Sequence, residues 1–382
     1  MKKFGKVLSV LTAAAMVAGT MAAPVAAEDT FKIGSSGPLT GPAAVYGNAV
    51  MNAIQIAVDE VNEAGGVNGA NFEFNPQDDE HDAEKAVNAY NTLKDWGMQM
   101  FLGTVTSAPC IAVEAEAAND NIFLLTPSGS AVDCITGGDN AFRVCFSDPS
   151  QGTASAQYIG NNGIGEKVAV IYDSSDVYSS GIYGTFQAEA ANQPFEIVAA
   201  EAFTADSKSD FSVQLQKAKD AEADLVFMPI YYNEAALILQ QADQMGYAPT
   251  WFGVDGMDGI LSLEGFDTSL AEGLMLLTPF SADADDELTK NFVAKYEEKH
   301  GEVPNQFAAD AYDGVYAIKA ALEQSGATPD MDASEICDLL KVGMTEITID
   351  GVTGVGMTWS ADGEPSKEPK AVVIENGAYK GM

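Results

Sequence analysis

The chain has 382 residues, 56 of them acidic against 19 basic, and a formal net charge of −37. Such a surface repels nucleic acid and anionic lipid, so no nucleic-acid partner is expected, and the length exceeds one ordinary core but suits two lobes. The four cysteines show no zinc spacing, and both histidines, His81 and His300, stand in charged, solvent-like surroundings, so neither a metal nor a cofactor is expected.

Residues 1–27 open with Lys2, Lys3 and Lys6, continue apolar and end in small residues, with Val25 and Ala27 where a signal peptidase reads. This predicts a secretory signal peptide cleaved before Glu28 and a mature chain that is periplasmic or secreted. No later stretch is apolar for long enough to cross a bilayer.

From there the pattern alternates. Residues 30–35 read as a strand, and GPLTGPAAVYGN leads into a helix with Val50, Ile54, Val58 and Val61 inward, stopped at Gly65 and Gly66. A strand over 71–75 and a helix over 82–96 follow. The acidic run 78–82 lacks the order of a calcium loop and reads as a solvated loop that also caps the second helix.

Residues 98–130 hold two consecutive units of one kind. Each is an apolar run, 98–102 and then 122–125, followed by a turn of small hydroxyl residues and proline, GTVTSAP and then TPSGS. In an open parallel sheet such turns lie at the carboxyl ends of strands, where ligands bind. The first runs into a helix over 109–119, placing the Thr106 and Ser107 hydroxyls beside free N–H groups at a helix start; the second offers Ser128 and Ser130. Together they describe a site for a small anion, most simply a carboxylate. Cys110 and Cys134 each follow one of these turns, and a disulfide between them is expected.

Residues 141–146 read as a further strand and 147–152 as a crossing segment. The alternation then restarts, with strands over 167–172, 195–200, 224–229 and 250–254 and helices over 181–192, 211–221 and 233–245. A return crossing at 274–280 precedes three helical runs, 286–300, 306–325 and 333–343, and a Gly-rich, strand-like end closing with 371–375. This order predicts an α/β protein of two doubly wound, Rossmann-like lobes joined by a three-segment hinge. One lobe would hold 28–147 and 279–357, the other 148–278 and 358–382.

Catalytic patterns are missing. GNNGIGEKV at 160–168 has Glu166 between its last glycine and Lys167 and precedes its strand, unlike a phosphate loop. There is no Gly-x-Ser-x-Gly elbow, no Gly-x-Gly-x-x-Gly, and no histidine near a Ser or Cys in a triad order. A binding protein is therefore expected, not an enzyme. A secreted hydrolase or amidase on the same lobes and a sensor ectodomain are the rivals.

The element order, together with TGPAAVYG (40–47), GGVNG (65–69), TSA (106–108), TPSGS (126–130), DPSQG (148–152) and GVDG (253–256), resembles the exported solute-binding proteins of ABC importers for leucine, isoleucine and valine. The resemblance implies a type I periplasmic binding fold, an amino-acid ligand, permease subunits of an ABC importer as partner, and a monomer. It places the ligand's α-carboxylate on Ser107, Ser128 and Ser130, and its α-ammonium on Asp255, where branched-chain binders usually carry Glu. It implies that Tyr178 and Tyr231 close over the ligand and that Tyr46, a Trp in some relatives, and Phe307 wall its side chain. Another small zwitterion or a short-chain amide is the alternative ligand.

Overall fold

The computed structural model describes residues 30–382; the expected signal peptide lies outside the described residues. The first sheet is built from β1 (Thr30–Gly37), β2 (Asn71–Asp78), β3 (Met100–Leu102), β4 (Phe123–Thr126) and β5 (Ala141–Arg143) in the order β2-β1-β3-β4-β5. All of its pairings are parallel, as expected of strands joined by helices. Its strands are apolar runs buried on both faces: Phe31, Ile33, Phe101, Leu102, Leu124 and Leu125 are all inaccessible.

The connecting helices are α1 (Ala44–Glu63), α2 (Ala83–Trp96) and α3 (Ser107–Asp120). Helix α1 buries Val50, Ile54, Val58 and Val61, as the spacing predicts. It ends where Gly66 adopts φ +71°; a Cβ there would sit 2.1 Å from the Ala70 carbonyl oxygen, so only glycine closes this turn.

The second sheet takes β6 (Lys167–Asp173), β7 (Glu196–Phe203), β8 (Leu225–Met228), β9 (Thr250–Gly253), β10 (Met275–Thr278), β11 (Lys370–Glu375) and β12 (Ala378–Gly381). Its order is β12-β11-β10-β9-β8-β6-β7, parallel except for the last hairpin, whose β11 runs antiparallel to β10 and β12. Helices α4 (Asp148–Asn162), α5 (Val177–Ala190), α6 (Ser212–Asp220) and α7 (Tyr232–Gln244) serve this sheet. Helices α8 (Glu287–His300), α9 (Gln306–Ser325) and α10 (Ala333–Glu346) return to the first, with α9 along α1 and α10 against β4.

The chain thus passes between the sheets after β5, after β10 and before β11. The last passage lies along β5: the Arg143 N–H donates to the Gly363 carbonyl at 3.0 Å, and Trp359 Nε1 donates to the Arg143 carbonyl at 2.7 Å.

Two expectations are corrected. Residues 148–152 do not form a bare crossing segment; they are the first turn and a half of α4, capped by the Ser147 hydroxyl. Its buried face reads Asp148, Gln151, Gly152, Ser155, Ala156 and Ile159, so the apolar signal is faint. Small residues are required there, because a Cβ on Gly152 would lie 2.4 Å from the Ile182 carbonyl of α5. The acidic run 78–82 does cap α2, through the Asp82 side chain, but it is not wholly solvated. Asp79 is fully buried and receives the Ser36 hydroxyl at 3.1 Å.

Among the described residues, no helix is long and apolar enough to cross a membrane.

Candidate functional site

In the first sheet the chain leaves β1 to one side for β2 and to the other for β3. In the second it divides likewise about β6, between β7 and β8. Ligands settle at such divisions, beyond the carboxyl ends of the strands. Here the two ends face each other across one nearly filled cleft, a cavity of about 10 Å³ lined by Tyr46, Val105, Thr106, Ser107, Ser128, Ser130, Tyr178, Tyr231, Asp255, Gly256 and Phe307. All eight residues singled out in the sequence lie on it.

The first-lobe wall is a set of neutral donors. Ser107 opens α3, and its Oγ accepts from the Ala131 N–H at 3.2 Å, which leaves the hydroxyl proton free. Thr106 holds the capping position of α3 but makes no side-chain cap, so the helix start has no side-chain partner from that residue. The other two serines have local commitments. The Ser128 hydroxyl donates to the Val105 carbonyl at 2.6 Å, tying the two turns together, and Ser130 lies against the Asp148 carboxyl.

Behind this wall sits Arg143, the chain's one arginine, with no exposed surface. Its guanidinium donates to the carbonyls of Gly129, Ser130 and Ala131 and pairs with Glu364 at 3.4 Å. It therefore shapes the turn and does not enter the cleft.

The second-lobe wall carries charge. Asp255 follows β9 and accepts from Tyr178 Oη at 2.5 Å, Gln151 Nε2 at 2.9 Å and the Gly256 N–H at 2.7 Å. Burial pushes its carboxyl up to about 6 despite these three donors. Asp148 is likewise pushed up by burial, with Asp255 adding to the effect.

Aromatic rings fill the space between the walls. Tyr46 lies 4.4 Å from Phe307 and 5.8 Å from Tyr231, and Tyr231 stacks on Tyr178 at 4.8 Å. The lobes are closed on each other. Tyr46 Oη donates to the Gly256 carbonyl and accepts from the Tyr232 N–H, while Tyr232 Oη and Asn233 Nδ2 donate to the Pro42 carbonyl at 2.6 and 2.8 Å. Gln306 joins the lobes from α9, its Nε2 donating to the Asp255 carbonyl at 3.1 Å.

Gln151, Tyr232, Gln306 and Asp148 were not apparent in the sequence as part of this site. The one available signal was the string DPSQG, which carries both Asp148 and Gln151.

His81 does not stand in solvent. Its Nδ1 is 2.8 Å from Thr106 Oγ1, and its ring meets Tyr231 edge-on at 5.6 Å.

The disulfide expected between Cys110 and Cys134 is not formed, and all four cysteines are free thiols. The two are buried neighbours whose side chains touch, with Cys110 Sγ also 3.9 Å from the Cys134 carbonyl and Cys134 Sγ 3.6 Å from the Ser107 carbonyl.

The family model for periplasmic binding proteins matches residues 30–378. A Leu/Ile/Val-binding protein of Rhizobium johnstonii is 31% identical over 360 residues, 92% of this chain and 94% of its own length. A leucine-, isoleucine-, valine-, threonine- and alanine-binding protein of Pseudomonas aeruginosa is 28% identical over 347 residues, 91% of each chain. Among solved structures, the branched-chain amino acid substrate-binding protein LivJ of Streptococcus pneumoniae, in complex with isoleucine, aligns with a TM-score of 0.83 at 30% identity, covering 92% of this chain and 98% of that one. With its two doubly wound lobes and this match over nearly all described residues, the chain belongs to the periplasmic binding protein family and has the type I fold.

Proposed function

We propose that this protein is the extracytoplasmic binding component of an ABC importer. On this reading it acts as a monomer, takes a free amino acid with an aliphatic or other apolar side chain between its lobes, and hands it to membrane permease subunits. The supporting observation is the asymmetry of the cleft. Donors at the start of α3 and on Ser107 face a buried carboxylate, Asp255, across a space walled by Tyr46, Tyr178, Tyr231 and Phe307.

A zwitterion fits that asymmetry. Its carboxylate takes the N–H and hydroxyl donors, with Ser107, Ser128 and Ser130 shaping the cradle, and its ammonium supplies the cation that Asp255 lacks. The rings take an apolar side chain and exclude water. The closing bodies would be 28–147 with 279–357 and 148–278 with 358–382, with 359–363 lying along β5 at the hinge.

The test is calorimetry and thermal unfolding with each of the amino acids. Leucine, isoleucine or valine should bind ahead of glutamate and aspartate, and a ligand at 100 times its Kd should add roughly 2.7 kcal/mol of stability. Tight binding of the acidic amino acids with failure of the aliphatic ones would overturn the side-chain assignment.

A further inference from the structure

His81 precedes α2 in a loop whose conformation is unusual. Glu80 and His81 both take positive φ, +51° and +61°, a region that non-glycine residues enter only when held there. The holding contact is visible: the His81 N–H donates to Asp79 Oδ1 at 3.0 Å, and buried Asp79 is fixed by the Ser36 hydroxyl. The effect is to aim the imidazole at Thr106.

Thr106 has an unusual feature of its own. A threonine at a helix start ordinarily turns its oxygen onto the N–H groups of the first turn; here the backbone is extended, φ −108° and ψ 153°, yet the hydroxyl does not cap. It is buried, lines the cleft beside Ser107, and lies 2.8 Å from His81 Nδ1.

We propose that His81 is a positioning residue for the carboxylate cradle. With its proton on Nδ1 it donates to Thr106 Oγ1, which turns the hydroxyl's own proton toward the ligand's carboxylate. The other tautomer would have Thr106 donate to the ring and leave no proton for an anion, so a bound carboxylate selects the first. The arrangement is completed on closure, because the ring's other neighbour, Tyr231, comes from the second lobe.

The charged groups around the ring are Asp79, Glu80 and Asp82 on its own loop and, across the gap, Lys208, Glu234, Asp173 and Asp176. Burial, reinforced by Lys208 and opposed by Asp82, holds the imidazole below its ordinary range. It is therefore neutral near pH 7, the form in which the tautomer matters.

This inference rests on the amino-acid reading above and deepens it. The test uses the whole mature chain, with leucine as the probe and 3-methylbutylamine as its carboxylate-free analogue. His81→Phe keeps a ring against Tyr231 but loses the bond to Thr106, and should raise the Kd for leucine about tenfold. Thr106→Val should do the same, and the double variant should be little worse than either single one. His81→Asn places a donor near the position of Nδ1 and tolerates positive φ, so it should restore most of the affinity. The amine should bind weakly and respond to none of these changes.

Multiplying penalties in the double variant, failure of His81→Asn to rescue, or equal weakening of the amine would each overturn the proposal. If His81→Phe does not fold, Thr106→Ser against Thr106→Val carries the same test, the first retaining and the second losing affinity. A wild-type protein that binds no amino acid would instead sink the amino-acid reading. Wild-type binding that Asp255→Ala weakens and His81→Phe leaves untouched would sink this inference alone.

Discussion

The two walls of the cleft solve opposite problems. On the first lobe the cleft-lining groups are neutral, and their geometry is set from behind: Arg143 gathers the carbonyls of Gly129, Ser130, Ala131 and Val132, and Ser128 ties the second turn to Val105. All of these bonds lie within the first lobe, so none of them depends on a contact with the second. On the second lobe a carboxylate is buried in advance, with three hydrogen-bond donors but no cation beside it. The first wall is preorganised at little cost; the second holds an unmet demand that a ligand ammonium would satisfy. Substitutions in the two walls should therefore act differently on affinity and on stability.

The largest effect belongs to the charged wall. Asp255→Ala should weaken amino-acid binding by roughly 2 to 5 kcal/mol, since it removes the partner of a desolvated ammonium. The fold should survive the change: burial disfavours the ionised carboxyl that is lost, which offsets part of the cost of leaving the Tyr178, Gln151 and Gly256 donors without their acceptor. Near wild-type affinity by calorimetry would reject the assignment of the ammonium to this residue.

The same residue makes a prediction about pH in which stability and affinity move in opposite directions. The folded carboxyl sits at about 6, above an ordinary value near 3.8, so between these limits the folded chain holds more protons than the unfolded one. Stability without ligand should rise as pH falls through 6, by up to about 1.4 kcal/mol per pH unit from this group. Asp79, Asp176, Asp258 and Asp310, pushed up by burial to about 6 as well, contribute in the same direction. Affinity, which needs the ionised carboxylate, should fall over the same window. Asp255→Asn should be more stable than wild type at pH 7 and show a shallower rise on acidification; an unchanged unfolding profile would show that the carboxyl is not buried in the ligand-free protein.

The neutral wall should give smaller effects that separate its serines. Ser107→Ala removes a hydroxyl whose proton faces the cleft, and should cost about 1 to 3 kcal/mol of affinity with little change in melting temperature. Ser128→Ala removes a donor already committed to Val105, and should cost about 1 kcal/mol of stability and less affinity than Ser107→Ala. Equal losses of affinity in the two variants would mean that the bond between Ser128 and Val105 does not separate their roles.

The contrast between the walls also explains what could be read from the sequence. The first wall is local: strand, turn and helix start follow one another within residues 98–130, so Ser107, Ser128 and Ser130 stand out as a repeated unit. The two-lobe plan was legible for the same reason, since alternation is a local pattern. The support of Asp255 is not local. Gln151 lies 104 residues away in a helix whose buried face holds one large apolar residue, Ile159, and Tyr178 is 77 residues away. His81 was hidden by its neighbours, because four surrounding acids look like solvent until the fold buries Asp79 and sets the ring 2.8 Å from Thr106. The cysteines show the converse. Neighbouring turns brought Cys110 and Cys134 together as buried side chains in contact, yet both are free thiols: proximity in the fold does not by itself make a bond.

The smallest predicted effect concerns the contact that joins the two walls. Tyr46 Oη donates to the Gly256 carbonyl and accepts from the Tyr232 N–H, so one first-lobe hydroxyl satisfies two second-lobe backbone groups in the closed molecule. In an open molecule water can satisfy both. Tyr46→Phe keeps the ring against Phe307 and Tyr231 and leaves the two backbone groups unpaired only when the lobes close. The substitution therefore acts on the closing equilibrium, and should reduce affinity by about 1 kcal/mol, roughly fivefold, whatever the side chain of the amino acid. Scattering should show wild type becoming more compact at saturating leucine and the variant needing more ligand to reach the same dimensions. A variant whose loss depends on the ligand's side chain would place the Tyr46 hydroxyl in the pocket itself and not in the contact between the walls.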